Sequence, residues 1–324
     1  MAGIDSARIR AVVQPRFDTT SVDGQPDTQA ELRRARLMLR VYSGGWIRGD
    51  IEADFARGSV QLTDGFVLLE FDPRVQIRLG QFKKPFDTLM LADGREGAVV
   101  ERDGLPRGVT LPTPNLVGRL FGYSNRDLGA EWRGRFGRTT LIGGFWNGTG
   151  ANRQEEDDGK QVGARAEVAV LEGWRAIAAW AGIRRTAPED EPRAESRWSN
   201  AFELAATTGR PHEPGLKVLL QAMFGDGALR LEADDQPGFL ALQVLVAHFL
   251  PVHRVPHLIG VEPIGRWGWT DPDDDTVEDE ATLWTGGINL FHHPRLKTMI
   301  QVDHVAPAEG DAETALRFQS SLGF

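Results

Sequence analysis

Apolar and polar side chains alternate along this chain with a period of two, in about sixteen short runs that recur roughly every 20 residues. In the run Leu32 to Val41, the residues Ala35, Leu37, Leu39 and Val41 share one face, and Arg34, Arg36, Met38 and Arg40 share the other. In the next run, Ile47, Ile51, Ala53 and Phe55 oppose Arg48, Asp50, Glu52 and Asp54. Further on, Val162, Ala164, Ala166, Val168 and Val170 oppose Gly163, Arg165, Glu167 and Ala169. The final run sets Leu316, Phe318, Leu322 and Phe324 against Arg317, Gln319 and Ser321. Clusters of Gly, Pro, Asp and Asn separate the runs, and helical periodicity is nearly absent. The chain is therefore predicted to be all-β.

Alternation alone fits a soluble sandwich as well as a membrane barrel. The connections separate the two. Short ones, such as Ser43-Gly44-Gly45, Asp72-Pro73-Arg74, Glu172-Gly173 and His292-His293-Pro294, alternate with long ones. The long ones hold residues 18–29, 87–118, 148–160, 185–196, 225–237 and 270–280. In a meander, alternate connections lie at opposite ends, so every long loop falls at one end. That is the plan of an outer-membrane barrel, with short periplasmic turns and long extracellular loops. The acidic clusters sort to that end too: Glu155 to Asp158, Glu189 to Glu191, Glu232 with Asp234 and Asp235, and Asp271 to Glu280. Aromatics gather near run ends, among them Tyr42, Trp46, Phe71, Trp146, Trp198, Trp284 and Phe291, as interfacial girdles require. The expectation is one domain over residues 1–324, a transmembrane antiparallel up-and-down β-barrel of about 16 strands.

Composition adjusts this picture little. Of 324 residues 41% are hydrophobic and mean hydropathy is −0.32, values that look soluble. No run of about 18 apolar residues exists, so no transmembrane helix is expected, but a barrel evades that test. The formal net charge of −9 argues against a nucleic-acid partner. The absence of cysteine excludes disulfide and thiolate chemistry. The opening Met-Ala-Gly-Ile-Asp has neither a charged n-region nor an apolar h-region, so the sequence reads as a mature form whose signal peptide has been removed.

Several stretches together resemble the phosphate-selective porin O and P family of Gram-negative bacteria. They are Arg33-Arg34-Ala35-Arg36-Leu37, Gly80-Gln81-Phe82-Lys83-Lys84-Pro85-Phe86, Glu101-Arg102, Arg126-Asp127-Leu128-Gly129 and Phe145-Trp146-Asn147-Gly148, with a terminal Phe324. They lie mainly in the N-terminal half. The resemblance implies a sixteen-stranded barrel and a homotrimer in contact with outer-membrane lipid and lipopolysaccharide. It also implies a third extracellular loop, here residues 87–118, folded into the lumen as the constriction. It implies passive conduction of small anionic solutes such as phosphate along a ladder of basic residues.

Strand parity selects the ladder. Arg8, Arg10 and Arg16 on the first run, Arg34, Arg36 and Arg40 on the second, Arg48 on the third and Arg78 on the fifth are expected to face inward. Lys84, Arg102 and Arg107 join them from the long loop and its approach. Guanidinium donors match phosphate and carboxylate oxygens, and basic rings favour anions. Asp50, Glu52, Asp54 and Glu70 are expected to face these arginines. Two readings stay open: net anion preference, or a charge-balanced general pore stiffened by cross-strand pairs. The acidic loops depart from a phosphate-attracting entrance.

No nucleophile elbow or phosphate-binding glycine loop is present, so catalysis is not expected, nor is a cofactor. His253 and His257 sit in a Pro-bounded turn. Asp271, Asp273 and Asp275 begin like a calcium loop, but Thr276 and Thr282 stand where Gly and Glu are required. A loose Ca²⁺ interaction there is the most that pattern supports. The alternative to a channel is a structural or receptor barrel whose acidic loops bind a partner or divalent cations.

Overall fold

The computed structural model describes residues 3–22, 25–93, 97–106, 108–154, 159–185, 197–210, 213–227 and 236–324. Its architecture is a closed barrel of sixteen antiparallel strands in which each strand pairs with its sequence neighbours and the last with the first. The strands are β1 (Ser6–Val22), β2 (Gln25–Ser43), β3 (Ile47–Asp54), β4 (Gln61–Asp72), β5 (Val75–Lys83), β6 (Arg126–Phe136), β7 (Thr139–Trp146) and β8 (Gln161–Leu171). They continue as β9 (Trp174–Arg185), β10 (Arg197–Thr208), β11 (Gly215–Asp226), β12 (Gly238–Pro251), β13 (Gly260–Asp271), β14 (Ala281–His293), β15 (Leu296–Pro307) and β16 (Glu313–Gly323). Closure pairs Phe17 with Phe318 across β1 and β16, so no sheet edge is left to bind another chain.

The pleat sorts the side chains. On β1, Ile9, Val13 and Phe17 are exposed, while Gln14, Arg16, Asp18 and Thr20 are buried. On β16, Leu316 and Phe318 are 49% and 43% exposed, while Arg317 and Gln319 are 1% exposed. This inverts the soluble pattern. Apolar side chains face outward along these strands while polar ones such as Gln14, Arg16, Arg317 and Gln319 face in, an arrangement stable only when hydrocarbon surrounds it. Interstrand bonds satisfy the backbone groups that lipid could not.

Three sequence expectations change. Residues 18–29 are not a loop: β1 and β2 run on as a hairpin to Val22 opposite Gln25, with the Thr19 and Thr28 hydroxyls 3.3 Å apart. Polar threonines on both faces hid the alternation there. Second, the long segment after β5 is not wholly irregular. It forms α1 (Thr88–Leu91) and α2 (Pro114–Leu120), with Pro114 in the first turn, where its missing N–H is not needed. Third, the aromatics divide. Trp46 with Phe71 (centroids 5.5 Å apart) near the short turns, and Trp198 and Trp284 near the long loops, are exposed as a girdle requires. Trp146 and Phe291 are buried inside, edge-on to Phe82 and Phe249. Tyr42 faces inward beneath Arg8.

Candidate functional site

The inward faces of the strands are not alike. On β9 to β12 many inward positions are small or apolar: Ala179, Ala181, Ala201, Ala205, Ala241 and Ala247 are all buried. Onto them pack apolar residues of the segment 84–125. Phe86, Val117 and Tyr123 lie on Ala179, Ala181, Ala201 and Met223. Leu89 and Val99 lie on Ile177, Leu219 and Ile264. Leu105 and Leu116 lie on Leu283 and Val305 of β14 and β15. Burying such side chains contributes roughly 1.5–3 kcal/mol each, so the segment is held as a structured element.

Polar tethers fix its register. The Asp87 and Thr88 amides donate to Glu203 on β10, at 2.9 and 2.7 Å. Val100 N–H donates to Gln301 Oε1 at 2.8 Å, and Lys297 Nζ donates to the Gly97 carbonyl at 2.6 Å. Arg317 Nη2 donates to the Leu105 carbonyl at 2.6 Å. At the β1 and β2 wall, Glu101 accepts from both Arg16 and Arg33. Burial alone would raise its carboxyl pKa, but Arg33 and Arg16 hold it well below the usual value. The opposite holds at Asp87, a residue with φ of +67°. Burial first, and the Glu203 carboxylate second, push it up to about 7.

With β9 to β16 covered in this way, a cavity of about 420 Å³ remains against β2 to β8. Ten Lys or Arg and six Asp or Glu line it. Cross-strand register pairs most of them. Arg40 forks onto Asp50 at 2.7 and 2.8 Å. Arg36 bonds Asp54 at 2.8 Å and Glu52 at 3.1 Å. Arg126 forks onto Asp64, Arg78 bonds Glu131 at 2.8 Å, and Arg165 bonds Glu167 at 2.7 Å. Arg78 also lies over the rings of Phe82 and Phe66, 3.9 and 5.3 Å from their centroids, which fixes its plane. Two arginines differ. Arg34 bonds the Gln14 amide oxygen at 2.7 Å and Arg102 bonds the Ala92 carbonyl at 2.6 Å. Neither forms an ion pair with a carboxylate among the described residues.

Of the residues picked out by parity, Arg34, Arg36, Arg40, Arg48, Arg78 and Arg102 line this cavity, with Asp50 and Glu52. Arg16 does not. It is buried among Asp18, Glu31 and Glu101. Arg8 and Arg10 line a separate cavity of about 540 Å³ at the short-turn end, beside Arg295 and Lys297. Lys84 is 3% exposed and bonds the Gly122 carbonyl and Gln161 Oε1. Burial lowers its pKa to about 8. It is a strut beneath the segment rather than part of the cavity wall. Asp54 lies outside the cavity lining but accepts from Arg36 through one oxygen and from the Ala35 and Ala56 amides through the other, and Glu70 accepts from Gln76 rather than from an arginine. Arg107 lies outside the described residues, as do the acidic clusters at 155–158, 189–191 and 232–235. Alternation places Arg165 and Glu167 on a polar face, and both line the cavity; so do Asp64, Lys83, Asp93, Arg126, Glu131 and Arg133, which the expected inward set does not include. The alternation of Glu131, Trp132 and Arg133 carried the signal for two of them. At the rim, Asp271 and Asp273 accept the amides two residues on, and Asp274 accepts the Gly238 amide at 2.7 Å, so these carboxylates close turns.

The model of the phosphate-selective porin O and P family matches residues 8–213, about two thirds of the chain. The chain belongs to that family. Among curated proteins none matches it. Among solved structures, the anion-selective porin from Comamonas acidovorans superposes with a TM-score of 0.70 at 13% identity, covering 98% of this chain and 99% of that one. The outer-membrane channel DcaP of Acinetobacter baumannii gives 0.69 at 12% identity, covering 98% and 97%. OmpF of Salmonella typhi, in complex with daunomycin, gives 0.69 at 10% identity with the same coverage. At such identities these likenesses establish the fold. Family and closed barrel together make this porin an outer-membrane channel.

Proposed function

We propose that this porin is a passive diffusion channel for small hydrophilic solutes with a net preference for anions, phosphate or small carboxylates among them. Residues 84–125 act as its constriction. The observation that carries this reading is the wall of the 420 Å³ cavity, where ten cations face six carboxylates. Paired groups cancel at a distance, so much of the surplus resides in Arg34, Arg102 and Lys83, which have no carboxylate partner among the described residues, and the two guanidiniums carry its fixed part. A passing anion meets their fixed donors within a Debye length of about 8 Å, where salt screens weakly. The paired guanidiniums contribute a rigid, charged wall. The exposed apolar band is the surface expected to meet lipid and lipopolysaccharide, and a homotrimer is the assembly this reading takes from the family.

The test is the reversal potential of the reconstituted channel in asymmetric KCl. The sign should report chloride passing more readily than potassium. Arg34→Gln combined with Arg102→Gln should move the potential toward zero. A potassium-selective wild type would overturn the proposal.

A further inference from the structure

The cavity wall is not only basic. Met38, Phe66, Pro85, Leu91 and Ile142 line it together with the charged groups. Met38 stands on β2 between Arg36 and Arg40, on their face of the strand, and so interrupts the run of guanidiniums. Phe66 lies across from Asp50 on the neighbouring strand, beneath the guanidiniums of Arg48 and Arg78, which are 5.7 and 5.3 Å from its centroid. Pro85 and Leu91 approach from the long segment, and Ile142 from β7. A narrow passage that only had to pass hydrated inorganic ions gains nothing from five apolar side chains at its wall.

The polar half of the wall points the same way. Phosphate carries its charge on several oxygens and keeps its hydration shell unless many free donors replace it. Here the donors of Arg36, Arg40, Arg78 and Arg126 are committed to Glu52, Asp54, Asp50, Glu131 and Asp64. Lys83 is spent on the Met90, Leu91 and Ala92 carbonyls and Arg165 on Glu167 and Glu203, while Arg48 and Arg133 stay beside Asp50 and Glu131 at 3.5 and 3.7 Å. That leaves Arg34 and Arg102 as the guanidiniums with no carboxylate beside them among the described residues, enough to meet a single carboxylate. A carboxylate bound there would place its hydrocarbon part against the apolar side chains, and that contact releases water from both surfaces.

We infer that the constriction selects organic monocarboxylates with an apolar body over inorganic phosphate. The inference rests on the anion preference proposed above and narrows it to a solute class. It is tested by block of the chloride current through single reconstituted channels, with acetate, butyrate, benzoate and inorganic phosphate as probes. Half-blocking concentrations should fall in the order acetate, butyrate, benzoate, by roughly tenfold from first to last, and phosphate should block no better than acetate. Met38→Gln and, separately, Leu91→Gln should erase most of the benzoate advantage while leaving the chloride-to-potassium ratio unchanged. Two sites on different elements guard against a variant that fails to fold, and conductance in KCl confirms folding of each. Phosphate blocking better than benzoate, or equal block by acetate and benzoate, overturns this inference alone. A potassium-selective channel overturns the anion reading beneath it. Retention of the full benzoate advantage in both variants removes the apolar wall from the explanation and sinks the inference as well.

Discussion

Glu101→Gln tests how firmly the long segment is tied to the β1 and β2 wall. Glu101 is 9% exposed and accepts from the guanidiniums of Arg16 and Arg33. At an effective dielectric near 20, each contact is worth about 4 kcal/mol of Coulomb energy before desolvation is subtracted. Desolvation offsets much of this, and breaking one partner of such a buried set costs roughly 3–5 kcal/mol. The lower end applies here. Arg16 keeps Asp18 at 2.8 Å and Glu31, so the loss falls on Arg33, whose side chain is 19% exposed and can turn toward water. About 3 kcal/mol corresponds to roughly a hundredfold rise in local opening around residue 101.

That opening stays local. Val100, Leu105 and Gly97 remain bonded to Gln301, Arg317 and Lys297 on β15 and β16. The variant should therefore assemble as a barrel and unfold in urea at a lower midpoint than the wild type. Its single-channel current should show added flicker, because Arg102 beside it lines the cavity. The pH dependence has a defined sign. The Glu101 carboxyl lies well below its ordinary 4.5, so its stabilisation is present above that value and is lost only as pH falls through the depressed one. Wild type should thus keep a quiet current down to about pH 4, while Glu101→Gln should be noisy throughout. A variant with the wild-type urea midpoint and quiet current at neutral pH would refute this account of the anchor.

Other perturbations follow from the same geometry. Asp87→Asn acts in the opposite sense: the folded state raises this carboxyl to about 7, so its contribution is complete below about 4 and lost as pH rises through 7. The difference in urea stability between wild type and variant should therefore shift in the variant's favour between pH 4 and 8, by a few kcal/mol at most, and a flat difference would contradict it. Gly80→Ala places a Cβ 2.2 Å from the Gly65 carbonyl oxygen at φ of +133°, so folding yield in detergent, read by heat-modifiable gel mobility, should drop sharply. Leu204→Arg, on the exposed face midway along β10, should cost about 2–4 kcal/mol in urea titrations of the protein folded into lipid vesicles, because that face meets hydrocarbon, and a cost near zero would contradict it.

The barrel was legible because lipid and water make one rule for every strand. Alternation, together with the turn residues between runs, points to about sixteen strands, and sixteen form the barrel. Legibility failed where a third environment replaced one of the two. Along β9, Ala176, Ile177, Ala178, Ala179, Trp180 and Ala181 are apolar on both faces, because the inward face is roofed by Phe86, Leu89 and Val117. The same cause blurs β12, where Ala241, Leu245 and Ala247 face inward under Leu89, Val99 and Val117. Loss of alternation over consecutive strands is thus itself a signal. It marks the arc of wall on which a loop is docked, and it was there to be read once a long connection lacked a partner surface.

The site was harder to read because parity reports only which way a side chain points, whereas charge selection depends on what each charge meets. Arg16 and Arg34 share a polar face with Arg36, yet three carboxylates surround Arg16 and one amide oxygen meets Arg34. The difference comes from residues 85 positions and 20 positions away in sequence, Glu101 and Gln14. A tally of inward arginines therefore overstates the field. The paired ones brace the wall, since breaking them would strand a buried carboxylate. The proposed anion preference therefore rests on the few that meet no carboxylate, Arg34 on the strand wall and Arg102 on the segment 84–125. In this barrel the segment packed against the inner wall also determines, through Glu101 and Ala92, what the guanidiniums of Arg16, Arg33 and Arg102 meet.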